Sequence, residues 1–321
     1  MAILGLDRFF QPKRSRRIVD IPPVAQPDET AKFLCVGAIV KDEEKILEEW
    51  LEFHLLVGVE HFFIYDNGSA DGTIDILRRY CAKGLVTLVA WPHFVEDFHT
   101  QVLAYAHCLA TYGKTSRWIA FIDADEFLFS PGSTSLQAVL AEFQRLPALV
   151  VYRYHFGTSG HRHPPTGLVT RNFIERMPTP SGKVKLKGLT APKSIVQPCK
   201  VRRILGAHTF ALEGQENLIG FDEQGHAISD DGTAEIVAEK LRINHYYARD
   251  LETFRRRRMA SGNSATNKNV SKFDKFEANL KLIDSNSVVD KTVEPLARAL
   301  EELLARRAGE SMAQVVSEAP N

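Results

Sequence analysis

The sequence predicts an α/β protein: a doubly wound, mostly parallel sheet with flanking helices, followed by a helical C-terminal extension. Three observations lead there. Apolar runs of strand length at 33–40, 61–65, 86–91 and 118–122 alternate with stretches of helical length. The connections between them are short, as in consecutive βαβ units. The runs are apolar on both faces, which suits strands covered by helices on both sides.

Each element of the first half has its own signals. Residues 33–40 (FLCVGAIV) are continuous, apolar and β-branched, the pattern of a buried strand. Asp42 is placed to cap a helix over 46–56, with acids in its first turn. Ile46, Trp50, Phe53 and Val57 make its apolar stripe. His54 lies close to that stripe and reads as a packed, hydrogen-bonded histidine. The second strand, 61–65, lands on Asp66-Asn67-Gly68-Ser69-Ala70-Asp71-Gly72-Thr73, a turn rich in residues that tolerate unusual backbone angles. Ser69 or Asp71 caps the next helix, 74–82, and Lys83-Gly84 closes it. A third strand at 86–91, a loop at 92–97 and a helix over 100–112 lead to the fourth strand.

That strand, Trp118-Ile119-Ala120-Phe121-Ile122, drives into Asp123-Ala124-Asp125-Glu126 before apolar residues resume. In extended backbone, residues i and i+2 point to one side, so Asp123 and Asp125 read as a grip for one divalent cation. A solvent-facing turn cap is the plain alternative. Open α/β sheets bind ligands at the C-terminal edge of such strands, and Asp66, Lys41 and Asp42 share that rim. Asp66 has its own plain alternative, an Asx-turn with Asn67-Gly68. No G-x-G-x-x-G opens the first helix and no Walker loop occurs, which leaves phosphate handling to metal and side chains.

Beyond residue 130 the pattern loosens. A helix at 136–146 and a strand at 149–155 (LVVYRYH) precede a stretch, 157–188, rich in Gly, Pro, His, Thr and Lys with little periodicity. Such a length without elements suits a lid or an acceptor-facing loop. Short strands follow at 192–198 and 201–210, then an exposed loop at 222–233 and a strand at 241–247 (LRINHYY). Helices at 251–261, 273–283 and 293–306 close the chain, with a frayed end from 308.

Composition excludes some partners. The 40 Lys and Arg balance 40 Asp and Glu, so no global field suits nucleic acid. Arg255-Arg256-Arg257-Arg258 spans a full helical turn without interleaved aromatics; one or two of the four can approach a phosphate, and a nucleic-acid patch is not expected. Cys35, Cys81, Cys108 and Cys199 are far apart, with no CxxC pair, and read as free thiols. No signal peptide or membrane-length apolar run is expected, which points to a cytoplasmic protein. Residues 1–17 mix bases with Ile3, Leu4, Leu6, Phe9 and Phe10. They read as a disordered tail, or as a peripheral contact with the inner face of the membrane.

The order of several motifs resembles glycosyltransferase family 92, which is related to the family-2 glycosyltransferases of GT-A fold. They are Val40-Lys41-Asp42-Glu43, Glu49-Trp50-Leu51-Glu52-Phe53-His54, Tyr65 to Thr73, and Trp118 to Phe127. Lys193-Ser194-Ile195-Val196-Gln197-Pro198, Ala207-His208 and Ile243-Asn244-His245-Tyr246-Tyr247 are similar to the family's later motifs, so the resemblance covers about 33–262. It implies a GT-A-type sheet and inverting, metal-dependent transfer of a galactose-like sugar from a UDP-sugar to a glycan or lipid-linked acceptor. The domain reading is an N-terminal tail (1–30), a glycosyltransferase domain (31–265) and C-terminal helices and tail (266–321). Within the domain, 31–130 forms the nucleotide-sugar-binding half and 131–265 the acceptor side.

On that reading a cation held by Asp123 and Asp125 stabilises the leaving diphosphate as a Lewis acid. Hard oxygen ligands suit Mn²⁺ or Mg²⁺, and one neutral histidine, His245 or His208, completes the set. Lys41, Asp42, Asp66, Asp123 and Lys193 are expected on the nucleotide sugar, with Asp66 near base or ribose and Lys193 as a point charge for diphosphate. Inverting transfer needs a base for the acceptor hydroxyl; Glu175, Asp231 and Asp222 are candidates, and the sequence does not single one out. Glu126 is expected to point away from the pair and orient the loop. No Q-x-x-R-W element appears, so processive synthesis does not carry over. Two other readings stand beside this one: a metal-dependent phosphatase, disfavoured because Phe127 stands where Thr or Val is usual, and a non-catalytic sugar-binding shell.

Overall fold

The computed structural model describes residues 18–92, 99–215, 217–229, 232–260 and 268–317. The stretch 1–17, most of the expected 92–97 loop, Asp231 and residues 318–321 lie outside the described residues.

At its centre is an eight-stranded mixed sheet in the order 227–229, 218–221, 148–151, 193–196, 116–121, 32–40, 61–66, 86–90. The last four, Ser116–Phe121, Lys32–Val40, His61–Asp66 and Val86–Ala90, are mutually parallel, as their helical crossovers require. Lys193–Val196 then runs antiparallel between Ser116–Phe121 and Ala148–Val151 and ends the parallel half.

Both faces of the parallel half are covered, which explains its continuous apolar runs. Leu34, Val36, Ala38 and Val40 face a core shared with the helices Glu44–Leu56 and Thr73–Ala82. Cys35 and Phe63 face the helix Thr100–Tyr112 and the hairpin strands Val201–Ile204 and Phe210–Leu212. Gly37 shares this second face with Cys35, and the Phe121 ring occupies the space a side chain would need: a Cβ there would stand 2.7 Å from the ring.

The first helix is stapled to the strand after the acidic motif. Buried Trp50 donates its indole N–H to the Glu126 carbonyl at 2.7 Å. His54 donates from Nδ1 to the Trp50 carbonyl at 2.7 Å and accepts the Leu128 N–H at Nε2, at 3.1 Å. Burial pushes the His54 imidazole down to about 4, so it is a neutral packing residue, as its position suggested.

A second sheet of five strands has the order 288–289, 175–176, 153–156, 242–246, 126–129. Arg242–Tyr246 pairs antiparallel with Glu126–Phe129 and parallel with Arg153–Phe156. Residues 149–155 were expected to form one strand. The chain instead changes sheets at Tyr152, giving Ala148–Val151 and Arg153–Phe156, because the Tyr152 carbonyl accepts the Ile243 N–H of the second sheet.

Other expectations are corrected by partners distant in sequence. The expected 201–210 strand is a hairpin, and Val19–Asp20, inside the stretch read as a tail, pairs with its first strand. The stretch 157–188 holds a short helix, Val169–Asn172, and the strands Glu175–Arg176 and Lys183–Lys185. The helix expected at 136–146 is regular only over Leu136–Ala141. The last helix runs Glu294–Ser317, past the expected fraying point, and Leu296, Ala297 and Leu300 on it are buried. All four cysteines are free thiols. Among the described residues no helix is long and apolar enough to cross a membrane.

Candidate active site

The rim at the C-terminal ends of the parallel strands is built from loops that lock one another. Asp42 does not cap the first helix. That helix starts at Glu44 after Glu43, without a side-chain cap. Asp42 instead takes a left-handed conformation (φ 54°), donates its N–H to Ser69 Oγ at 3.0 Å and accepts the Ala70 N–H at 2.7 Å. Asp71 accepts the first-turn N–H groups of both helices, from Thr73 at 3.0 Å and Glu44 at 3.1 Å. Asp66 accepts the N–H groups of Gly68 and Ser69, the Asx-turn arrangement. Lys41 is exposed on the same rim.

Asp123-Ala124-Asp125 is a turn, not a strand end: the Glu126 N–H closes on the Asp123 carbonyl at 3.0 Å. The i, i+2 geometry of extended backbone therefore does not apply, and the two acids meet different partners. Asp123 Oδ1 accepts from Gln101 Nε2 at 3.0 Å and Oδ2 from Lys193 Nζ at 2.7 Å. Its N–H goes to Glu126 Oε2 at 3.0 Å, so Glu126 folds back onto Asp123 instead of pointing away from it as expected, and holds the loop from that side. Lys193 Nζ also lies 3.1 Å from Glu126, and Arg153 Nη1 lies 3.3 Å from it. Two acids thus face two bases in a largely buried cluster. Burial raises the Asp123 carboxyl, but the Lys193 ammonium overrides it and the result is about 2. Burial dominates at Glu126 and pushes it up to about 7. Lys193, expected to face a diphosphate, is 0% exposed and turned inward to these acids.

Asp125 belongs to a second group, assembled by strand pairing across 120 residues of sequence. Register sets His245 opposite Glu126, and the Tyr246 N–H reaches the Asp125 carbonyl at 2.9 Å. His245 Nε2 consequently stands 3.6 Å from Asp125 Oδ1. On its other side His245 Nδ1 is 3.0 Å from His155 Nδ1, and His155 Nε2 is 2.6 Å from the Leu189 carbonyl. Burial, with Arg153 nearby, pushes His155 down to about 3. Arg257 Nη1 lies 3.9 Å from Asp125 Oδ2, and its guanidinium pairs with Glu43. Arg249, also at a positive φ of 54°, reaches Glu43 at 3.5 Å. Burial pushes Glu43 up to about 7 against the pull of both arginines. Of the arginine tetrad, Arg255 and Arg256 are exposed while Arg257 turns to the site.

The remaining expected residues are dispersed. His208 sits in the hairpin loop, where its carbonyl accepts from Ser194 Oγ at 2.8 Å. Its electrostatic neighbours are Lys193, Arg153 and Asp123, which places it with the first cluster, and burial lowers its imidazole to about 2. Glu175 accepts from Ser287 Oγ at 2.8 Å on the outer side of the second sheet, apart from Asp125. Asp222 is spent on its own loop, accepting the N–H groups of Gln224 and His226.

Among the described residues no group of three or more His, Cys, Asp or Glu could hold a metal ion. Asp125 and His245 are a two-donor pair, the kind that Mg²⁺ or Mn²⁺ completes with substrate phosphates and water rather than with an all-protein cage. Gln101, Glu43, Arg153, His155 and Arg249 were not singled out from the sequence. Arg153 and His155 had a signal, two basic residues interrupting an otherwise apolar strand.

An open α/β sheet with acids, bases and a histidine gathered at its C-terminal rim has its polar groups where such sheets bind ligands. The profile of glycosyltransferase family 92 matches residues 32–283. The chain belongs to that family. It is 31% identical over 192 residues to a glycosyltransferase family 92 protein of Oryza sativa subsp. japonica, covering 56% of this chain and 31% of that one. It is 26% identical over 104 residues to a galactan beta-1,4-galactosyltransferase of Arabidopsis thaliana, covering 30% and 20%. The chain thus spans about a third or less of these two relatives. Among solved structures it is similar to S. aureus TarS in complex with UDP-GlcNAc, with 14% identity, coverage of 77% and 71%, and a TM-score of 0.36.

Proposed function

We propose that the protein is a GT-A glycosyltransferase that moves a galactose-like hexose from a UDP-sugar to a hydroxyl of a glycan or lipid-linked acceptor, with inversion and with Mn²⁺ or Mg²⁺. The observation that carries the proposal is the Asp125–His245 pair on the rim of a family 92 chain, 3.6 Å between donor atoms. Carboxylate oxygen and imidazole nitrogen are the donor types of a site shared with a diphosphate, and the nitrogen favours Mn²⁺ of the two ions. The cation would supply Lewis-acid stabilisation of the departing diphosphate.

This chain's own residues do the rest. Asp125 and His245 would hold the ion. Arg257 and Arg249, held by Glu43, add positive charge beside Asp125 for the phosphates. Asp123 has a side chain 34% exposed and keeps an edge for donor hydroxyls, while Lys193 neutralises its inner oxygen. The galactose preference is supported by the likeness to a galactan beta-1,4-galactosyltransferase.

The test is transfer or hydrolysis of UDP-galactose and UDP-N-acetylglucosamine with and without Mn²⁺. Asp125→Ala is expected to lower the rate on the order of 100-fold or more while the thermal midpoint changes little. Full activity in EDTA would remove the metal from the proposal, and full activity of Asp125→Ala would remove the site.

A further inference from the structure

We propose that Gln101 is a positioning residue for Asp123, fixing the plane of its carboxylate so that the exposed edge meets hydroxyls of the transferred hexose. The inference deepens the glycosyltransferase reading and rests on it. A carboxylate held at one oxygen can still turn about its last side-chain torsion, which is a soft one. Held at both oxygens, it cannot. Lys193 Nζ, 2.7 Å from Oδ2, is one anchor, and Gln101 Nε2, 3.0 Å from Oδ1, is the other. The two arrive from different elements, the strand Lys193–Val196 and the helix Thr100–Tyr112 that covers the sheet.

The Gln101 amide is itself fixed. Its Nε2 also lies 2.9 Å from the Tyr105 hydroxyl, one turn on along the same helix, so its two N–H groups have two acceptors. Tyr105 is fully buried, and its ring packs on Phe121, the last residue of the strand that leads to Asp123, with centroids 4.5 Å apart. Helix, strand and turn thus close a ring of contacts through Tyr105, Gln101, Asp123 and Phe121. With both oxygens engaged, the Asp123 side chain is still 34% exposed. A carboxylate oxygen accepts more than one hydrogen bond, so that edge keeps acceptor capacity for ligand hydroxyls. Such an edge discriminates only if its plane is preset by supporting contacts, and Gln101 supplies the contact that Lys193 does not.

The experiment compares UDP-galactose with UDP by calorimetry in the presence of Mn²⁺, because only the first carries a hexose. In Gln101→Leu, affinity for UDP-galactose should fall on the order of 10-fold, while affinity for UDP stays within about threefold of wild type. Asp123→Ala should show the same split. Adding Gln101→Leu to Asp123→Ala should then change UDP-galactose affinity by less than about threefold, because the glutamine acts through the aspartate. Equal losses of UDP and UDP-galactose in Gln101→Leu would make the glutamine a purely structural residue and overturn the inference. An undiminished loss on top of Asp123→Ala would overturn it too. Unaltered UDP-galactose affinity in Gln101→Leu overturns the inference and leaves the glycosyltransferase reading standing. No UDP-galactose binding by wild type overturns the sugar-nucleotide reading and the inference with it. If Gln101→Leu does not fold, Tyr105→Phe decides, since it keeps the ring and releases the amide from its inner anchor. A loss confined to UDP-galactose then supports the inference, and unchanged affinity ends it.

Discussion

Lys193→Met separates an internal counter-ion from a ligand contact. The ammonium lies 2.7 Å from Asp123 Oδ2 and 3.1 Å from Glu126 Oε2, and its side chain is 1% exposed. Methionine keeps most of the stem and removes the charge, so two carboxylates are left to share Arg153, which is 3.3 Å from Glu126 alone. Removing one partner of a buried pair costs about 3–5 kcal/mol, a large part of the 5–15 kcal/mol typical of a folded protein. In a thermal scan of a chain of 321 residues that is a fall of roughly 4–7 °C. Urea unfolding followed by the fluorescence of buried Trp50 and Trp118 gives the free energy, and donor KM is measured on the same samples. Lys193→Met/Glu126→Gln should recover a substantial part of the loss, because it removes one of the unpaired charges. A Lys193→Met protein within 1 kcal/mol of wild type but with a tenfold higher donor KM would show that the ammonium faces the ligand.

Two further predictions concern the packing that presents the site. Burial holds His54 down to about 4 from its ordinary 6.5, so the unfolded chain binds the extra proton between these values. Its contribution is complete above pH 6.5 and falls by about 1.4 kcal/mol per unit as pH drops toward 4. His54→Leu should therefore lose stability less steeply than wild type between pH 6.5 and 5, and parallel slopes would refute the assignment. Gly37→Ala places a Cβ 2.7 Å from the Phe121 ring, which is itself packed on Tyr105 and Phe210 at 4.5 and 5.0 Å. It should cost about 1–3 kcal/mol in denaturant titration, and a neutral result would mean that the ring can move.

The parallel half was legible because its information is local. Thr100–Tyr112 has the bounds its periodicity suggested, and the strands ending at Val40, Asp66, Ala90 and Phe121 follow their apolar runs within a residue or two. Elsewhere the deciding contacts are remote in sequence. The break at Tyr152 depends on Ile243, and Val19–Asp20 depends on a hairpin near residue 203. The last helix is polar over much of its length, so its first turns, packed through Leu296 and Leu300, carried no signal for how far it would run.

The rim acids were legible as a group and not as individuals. Asp123 and Asp125 are identical in chemistry and two residues apart, and in extended backbone they would have been interchangeable. The turn closed by Glu126 sends them to different neighbours, and neither neighbour is visible from the motif. Lys193 arrives from a strand antiparallel to Ser116–Phe121, because its partner register puts Ser194 against Phe121. His245 arrives from the other sheet, because Asn244 lies against Phe127 and His245 against Glu126. A one-residue slip in either register would turn that side chain to the opposite face. The asymmetry of the pair is therefore a property of two strand registers: one acid is neutralised from within, and the other is left beside a histidine that a third strand backs with His155.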